Sequence, residues 1–142
     1  MSSEKRVIHL HIPSELGYEK VAMGAARSVA QAMGFSSDRI LDLQTAVAEA
    51  CTNAMEHGNL LNAAQRVEVV MTVEENALAI DVNDRGANAH FGEPEIHDHN
   101  KHRGMGMYII KQLMDEVQWS SRPQGGQVRM VIYLEPKEDA EA

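Results

Sequence analysis

The stretch Ser36-Ser37-Asp38-Arg39-Ile40-Leu41-Asp42-Leu43-Gln44-Thr45-Ala46-Val47-Ala48-Glu49-Ala50-Cys51-Thr52-Asn53-Ala54-Met55-Glu56-His57-Gly58-Asn59 decides how the rest of the chain is read. Ile40, Leu43, Val47, Ala50, Cys51 and Ala54 recur at helical spacing on one side, while Asp42, Thr45, Glu49, Asn53 and Glu56 mark the other. That pattern is an amphipathic helix. Ser36 or Ser37 suits its N-cap, Asp38 suits the positive end of the helix dipole, and Gly58-Asn59 ends the run. A helix with so continuous an apolar stripe must pack on something, and the flanking segments supply it.

Upstream, Ile8, Leu10 and Ile12 alternate with His9 and His11, the period of a strand buried on one face, until Pro13-Ser14 stops it. From about Tyr18 to Met33, Val21, Ala22, Ala25, Ala26, Val29, Ala30 and Met33 predict another helix, with Gly34 as its C-terminal cap. Downstream, Arg66 to Glu74 and Leu78 to Asn83 alternate as two strands of a hairpin around Glu75-Asn76. A polar segment from Asp84 to Arg103 follows, holding four of the seven histidines. Loops of that length inside a compact domain are usually functional.

Gly104-Met105-Gly106 is expected to open a third helix carrying Ile109, Ile110, Leu113, Met114 and Val117. A strand from Val117 to Ser121, a turn at Arg122-Pro123-Gln124-Gly125-Gly126, and a last strand with Val128, Met130, Ile132 and Leu134 close the pattern. Strand, helix, helix, hairpin, long loop, helix, hairpin predicts the α/β (α+β) class, a two-layer sandwich of three helices on one sheet. Residues 1–142 are read as a single domain, with 135–142 as a flexible tail.

Composition narrows the ligands. Acidic residues outnumber Lys plus Arg by 21 to 13, a net charge of −8 that repels a phosphodiester backbone, so direct nucleic-acid binding is disfavoured. One cysteine cannot staple a secreted domain, and the start of the chain has no signal-peptide core. No stretch approaches a membrane span, which together points to the cytoplasm.

Three short motifs carry chemistry. Glu49 and Asn53, spaced i, i+4, put a carboxylate and an amide oxygen on one helix face, able to take a proton and hold a magnesium ion; alone, the pair also fits a solvated face. Asp84-Arg85-Gly86 leaves a strand end, where the acid can accept from an exocyclic amine and Gly86 admits a flat ring; alone it also fits a turn. Gly104-x-Gly106 at a helix start offers backbone amides to a phosphate.

In this order, Ala48 through Asn59, then Val82-Asn83-Asp84-Arg85-Gly86, then Arg103-Gly104-Met105-Gly106-Met107 through Met114-Asp115-Glu116-Val117, the motifs resemble those of the anti-sigma-factor serine/threonine-protein kinases. These kinases belong to the GHKL ATPase superfamily, with gyrase, histidine kinases and certain chaperones. The resemblance spans nearly the whole chain. It implies a Bergerat-type fold whose mixed, mostly antiparallel sheet is covered on one face by three helices.

It also implies ATP and Mg²⁺ as cofactors. Asn53 would ligate Mg²⁺ bridging the phosphates, and Glu49 would be the general base for a substrate serine. Asp84 would contact the adenine amine, with Gly86 shaping that pocket. Gly104, Met105 and Gly106 would form the phosphate cradle beneath a lid over 87–103. A glutamate as base suits a neutral hydroxyl, which favours serine over histidine as acceptor. Arg103 would reach the γ-phosphate, or stand exposed on the lid. His57 is read as capping the helix C-terminus, with ordering of the phosphate end as the alternative.

His97, His99 and His102 fit either zinc ligands or a polar loop, and the loop is preferred because no cysteine or rigid helical register fixes a tetrahedral site. The nine methionines, including Met105 and Met107, are read as packing. One departure stands out: many relatives carry a threonine after the glycine of the last hairpin, and this chain has Gly126-Gln127-Val128.

The function expected is an ATP-dependent protein serine kinase in a partner-switching module. Its partners would be an anti-sigma-factor antagonist as phosphoacceptor, a sigma factor as alternative, and a second copy in a homodimer. The competing expectations are a nucleotide-binding interaction protein that sequesters its partner with little or no kinase activity, and a bare ATPase.

Overall fold

The computed structural model describes residues 5–86 and 101–134, with Lys101, His102 and Arg103 described by backbone alone. In chain order the elements are β1 (Arg6–Pro13), α1 (Glu19–Met33), α2 (Ser37–Asn53), a π-helical turn (Ala54–Gly58), β2 (Arg66–Val73), β3 (Ala77–Asn83), α3 (Lys101–Leu113), β4 (Glu116–Arg122) and β5 (Gly125–Tyr133). The strands form one sheet in the order β1-β2-β3-β5-β4. All four ladders are antiparallel, so the parallel pairing that a mixed sheet would contain is absent among the described strands.

The register explains the two layers. Met71 lies opposite Ile80, and Ile80 opposite Met130, so the alternate apolar residues of β2, β3 and β5 share one face. That face meets Ala22, Ala26 and Ala30 of α1, Leu43, Val47 and Cys51 of α2, and Ile110 of α3, all buried in one cluster. Small side chains on α1 and α2 let the helices approach closely.

Two expectations need correction. Ile12 is buried, but Leu10 is half-buried and Ile8 is 38% exposed, because β1 is the edge strand and the helix layer covers only its far end. The third helix begins at Lys101, not at Gly104. Its unpaired amides are therefore those of the first turn, ahead of Gly106, whose N–H belongs to the helical ladder.

The predicted caps are present. Gly34 takes φ 96°, and its N–H bonds to the carbonyls of Ala30 and Gln31 at the end of α1. Ser36 caps α2, its Oγ accepting from Arg39 N–H at 3.2 Å. Past Asn53 the helix widens: Asn59 N–H reaches the carbonyl of Ala54 at 2.8 Å, five residues back, so the run does end at Gly58-Asn59 but with a π turn as its last stretch.

One arginine fixes α2 against α3. Arg39 Nη1 donates to Asp42 at 3.0 Å and to the Leu113 carbonyl at 3.1 Å, while Nη2 donates to Asp115 Oδ2 at 3.0 Å. The same Asp115 oxygen accepts Tyr133 N–H at 2.7 Å. The start of α2 is thereby tied to the end of α3, so the two helices run antiparallel and the end of α2 meets the beginning of α3.

Candidate active site

That antiparallel crossing brings Glu49 and Asn53 of α2 against Gly106 of α3. A Cβ placed on Gly106 would lie 2.7 Å from Glu49 Oε2, 3.2 Å from Asn53 Nδ2 and 3.6 Å from Asn53 Oδ1. Only glycine leaves the carboxylate and the amide undisturbed here. Asn53 is 8% exposed, and its Nδ2 has no hydrogen-bond partner among the described residues. A buried amide with an unspent donor costs roughly 1–3 kcal/mol unless a ligand supplies the acceptor.

These residues fit a magnesium–phosphate group. Asn53 offers a carbonyl oxygen for the cation and a donor for an anionic oxygen, beside the Glu49 carboxylate. Among the described residues no group of three or more His, Cys, Asp or Glu gathers to chelate a metal. Mg²⁺ matches such a sparse protein donor set, because it keeps waters and takes substrate phosphate oxygens as its other ligands.

The second corner lies where β3 ends. Asp84 N–H donates to the Gly126 carbonyl at 3.0 Å, and Asp84 Oδ1 accepts from Gly126 N–H at 2.9 Å and Gly86 N–H at 3.0 Å. Oδ1 is thus spent on the backbone, whereas Oδ2 takes no hydrogen bond among the described residues. A Cβ on Gly58 would collide with the Asp84 carboxylate, and one on Gly86 with the Gly58 carbonyl. Gly125, at φ 147°, is excluded from bearing a side chain both by that φ and by the Asp84 carbonyl. The π turn brings Gly58 into this contact.

Asn59 holds the corner together. It is 4% exposed, its Oδ1 accepts from Arg85 N–H at 2.7 Å, and its Nδ2 donates to Ser14 Oγ at 2.8 Å and the Arg66 carbonyl at 3.3 Å. A cleft of about 250 Å³ opens beside it, lined by His57, Gly58, Asn59, Arg85 and Gly86 among others.

A family model described as a histidine kinase-like ATPase domain matches residues 12–132. The chain belongs to the histidine kinase-like ATPase family. It stands in that family's serine-protein kinase branch. It is 33% identical over 144 residues to the serine-protein kinase RsbW of Bacillus velezensis, covering 94% of this chain and 89% of the relative. The RsbW of Bacillus thuringiensis is 31% identical over 138 residues, with 90% and 85% covered.

Two solved structures share the fold. The RsbU and RsbW domains of a Mycobacterium tuberculosis protein give a TM-score of 0.68 at 16% identity, over 92% of this chain and 33% of that one. The SiaB–SiaC complex from Pseudomonas aeruginosa gives 0.62 at 16% identity, over 88% of both chains.

Within this kinase-like ATPase domain, Glu49, Asn53 and Gly106 converge at one point, while Asp84 and Gly86 form the other corner with Gly58. Gly104 is buried in the first part of α3, and Met105 turns outward, 56% exposed, where packing was expected. Met107 does pack, 8% exposed, and its sulfur accepts from Trp119 Nε1 at 3.0 Å. The expected lid overlaps α3 at Lys101–Arg103; its remainder, 87–100, lies outside the described residues with His97 and His99, as do the side chains of His102 and Arg103 and the tail at 135–142.

Sequence reasoning placed Gly58 and Asn59 at the end of the helix and of the first motif with no role of their own, and Ser14 only as the end of a strand. The adjacency of Gly58-Asn59 to the Glu49–Asn53 face was the available signal. Cys51 is inert: burial pushes its thiol up to about 12.

Proposed function

We propose that the chain transfers the γ-phosphoryl group of ATP to a serine of an anti-sigma-factor antagonist and, as a cytoplasmic homodimer, sequesters a sigma factor. The observation that carries this reading is the meeting of Glu49, Asn53 and Gly106, a carboxylate and an underused amide held against a surface with no side chain. Serine-protein kinases among its relatives and a fold neighbour solved with a protein partner support it.

Glu49 accepts the hydroxyl proton as serine Oγ attacks the γ-phosphorus. The bond between that phosphorus and the β–γ bridging oxygen breaks, leaving phosphoserine and ADP, and Glu49 passes its proton to water. Asn53 would hold the magnesium ion, which when bound neutralises charge on the phosphates. Asp84 presents Oδ2 to the adenine amine, and Gly86 with Gly58 leaves room for the ring. The amides of the first turn of α3, ahead of Gly104, face the phosphates. Local donors of this kind outweigh a net charge of −8 for a ligand as small as a nucleotide.

The test is Mg-ATP-dependent phosphorylation of the antagonist by the native chain, Glu49→Ala and Glu49→Gln. Both variants should keep ATP binding and lose transfer by about 10²- to 10⁴-fold. Equal transfer by all three proteins would remove Glu49 from the mechanism.

A further inference from the structure

The sheet face opposite the three described helices bears a row of polar side chains across all five strands, directly behind the Asp84 corner. Ser120 Oγ on β4 donates to Gln127 Oε1 on β5 at 3.4 Å; Gln127 Nε2 donates to Asn83 Oδ1 on β3 at 2.8 Å; and Asn83 Nδ2 donates to Glu68 Oε1 on β2 at 2.9 Å. The other carboxylate oxygen of Glu68 faces His9 Nδ1 and His11 Nε2 on β1, each at 3.7 Å. Each amide turns its oxygen toward β4 and its N–H toward β2. The bonds therefore run in one direction and end on a charge, the arrangement in which each bond polarises the next. The Asn83 amide is also the largest influence holding the Glu68 carboxyl below its ordinary range.

The place of this row matters more than its strength. Asn83 is 5% exposed, is the last residue of β3, and immediately precedes Asp84. Its cross-strand partner Gln127 immediately follows Gly126, which makes two of the bonds that orient Asp84. The Asn83–Gln127 rung and the Asp84–Gly126 rung thus stand back to back, one on the open face and one on the site side. Gln127, which departs from the family's threonine, is spent on the open face. Loosening the first rung lets the end of β3 shift against β5 and re-aims the Asp84 carboxylate.

We propose that Asn83, clamped between Gln127 and Glu68, is a positioning residue that sets the aim of Asp84 and thereby the preference for adenine over guanine nucleotides. This rests on the nucleotide-binding reading above. Adenine presents an amine to a carboxylate oxygen, whereas guanine presents a carbonyl oxygen that the same carboxylate repels. Discrimination of that kind depends on aim.

The experiment titrates ATP and GTP separately into the full chain and, in phosphate transfer, measures KM for ATP by varying its concentration and kcat at saturating ATP. Asn83→Leu, which removes two bonds of the row, and Glu68→Leu, which removes one, should each weaken ATP binding roughly threefold to tenfold and narrow the ATP-to-GTP ratio equally. The effect should fall on KM, with kcat retained. Glu68→Gln keeps an oxygen that accepts from Asn83, so it should restore the native ratio. Arg129→Met is the control: it strips Asp81 of its 3.0 Å partner on the same face and strands, and should lower stability without moving the ratio.

A native ratio in Asn83→Leu, or an equal change in Arg129→Met, overturns the proposal. Should Asn83→Leu fail to fold, the contrast between Glu68→Leu and Glu68→Gln decides in the same way. A native chain that binds neither nucleotide overturns the nucleotide reading itself, an outcome distinct from binding with no effect of Asn83.

Discussion

Gly106→Ala separates stability from catalysis at this site. An alanine adopts helical backbone more readily than glycine, by about 1 kcal/mol in a helix interior. Its methyl would stand 2.7 Å from Glu49 Oε2, and ordinary contact begins at 3.4 Å, so the carboxylate must retreat by about 0.7 Å. The end of a glutamate side chain can do so by turning off its preferred rotamer, at a cost of about 0.5–1.5 kcal/mol. The two terms nearly cancel, so urea unfolding should place the variant within about 1 kcal/mol of the native chain. Catalysis has no such compensation, since displacing a reacting group by about 1 Å costs on the order of 100-fold. Phosphate transfer to the acceptor serine should therefore fall about 10- to 100-fold in a protein that melts normally. Transfer within a factor of about two of native, at unchanged stability, would show that Glu49 does not work from the position it occupies against Gly106.

Three further expectations concern Asn59, Cys51 and Glu68. Asn59→Ala leaves Arg85 N–H without its acceptor and takes a donor from the Arg66 carbonyl and from Ser14 Oγ, which keeps its own bond to the Gln65 carbonyl, and should cost about 2–4 kcal/mol in urea unfolding; a loss under about 1 kcal/mol would mean that water replaces the amide. Because the Cys51 thiol is raised by burial to about 12, its contribution is present below the unfolded thiol's pKa of about 8.5 and is lost as pH climbs toward the folded value; a thiol reagent should label Cys51 only as fast as the chain unfolds, and instant labelling would contradict its burial. The depressed Glu68 carboxyl contributes stability above its unfolded pKa and loses it as pH falls through the lower folded value, so unfolding from about pH 7 to about pH 3 should show a shallower acid limb in Glu68→Gln; parallel limbs would refute this.

Periodicity made the layers legible. The apolar stripe of α2 and the alternation of β2, β3 and β5 each have one buried solution, and that solution is the observed sandwich. The misplaced features answer to tertiary context. Ile8 alternates like a core residue, yet its strand lies at the sheet edge, a property of strand order that no local pattern carries. Gly104 and Gly106 look like a helix opening, but the glycine at 106 serves a close crossing with α2, so α3 extends past both toward its N-terminus.

Within the candidate site, Glu49, Asn53 and Asp84 were singled out in the sequence by spacing and order. Asn59 was not, since a buried asparagine and a helix-ending asparagine have the same letter and neighbours. Its three bonds reach Ser14, Arg66 and Arg85, and only the folded chain brings those together. Asn83 hid for the same reason, its partners lying 15 and 44 residues away.

The two corners draw on α2 and its π turn, the end of β3, the beginning of α3 and the beginning of β5, segments scattered from Glu49 to Gly126. No subset of them retains the geometry once the others leave. A nucleotide that seats across both corners therefore binds only the complete fold, and mass action makes it a clamp on that fold: at a concentration one hundred times its dissociation constant it would add about 2.7 kcal/mol. For a chain this small, that is a sizeable share of the few kcal/mol that ordinarily separate a native domain from its unfolded ensemble. Cellular nucleotide would then govern how much of the folded chain persists.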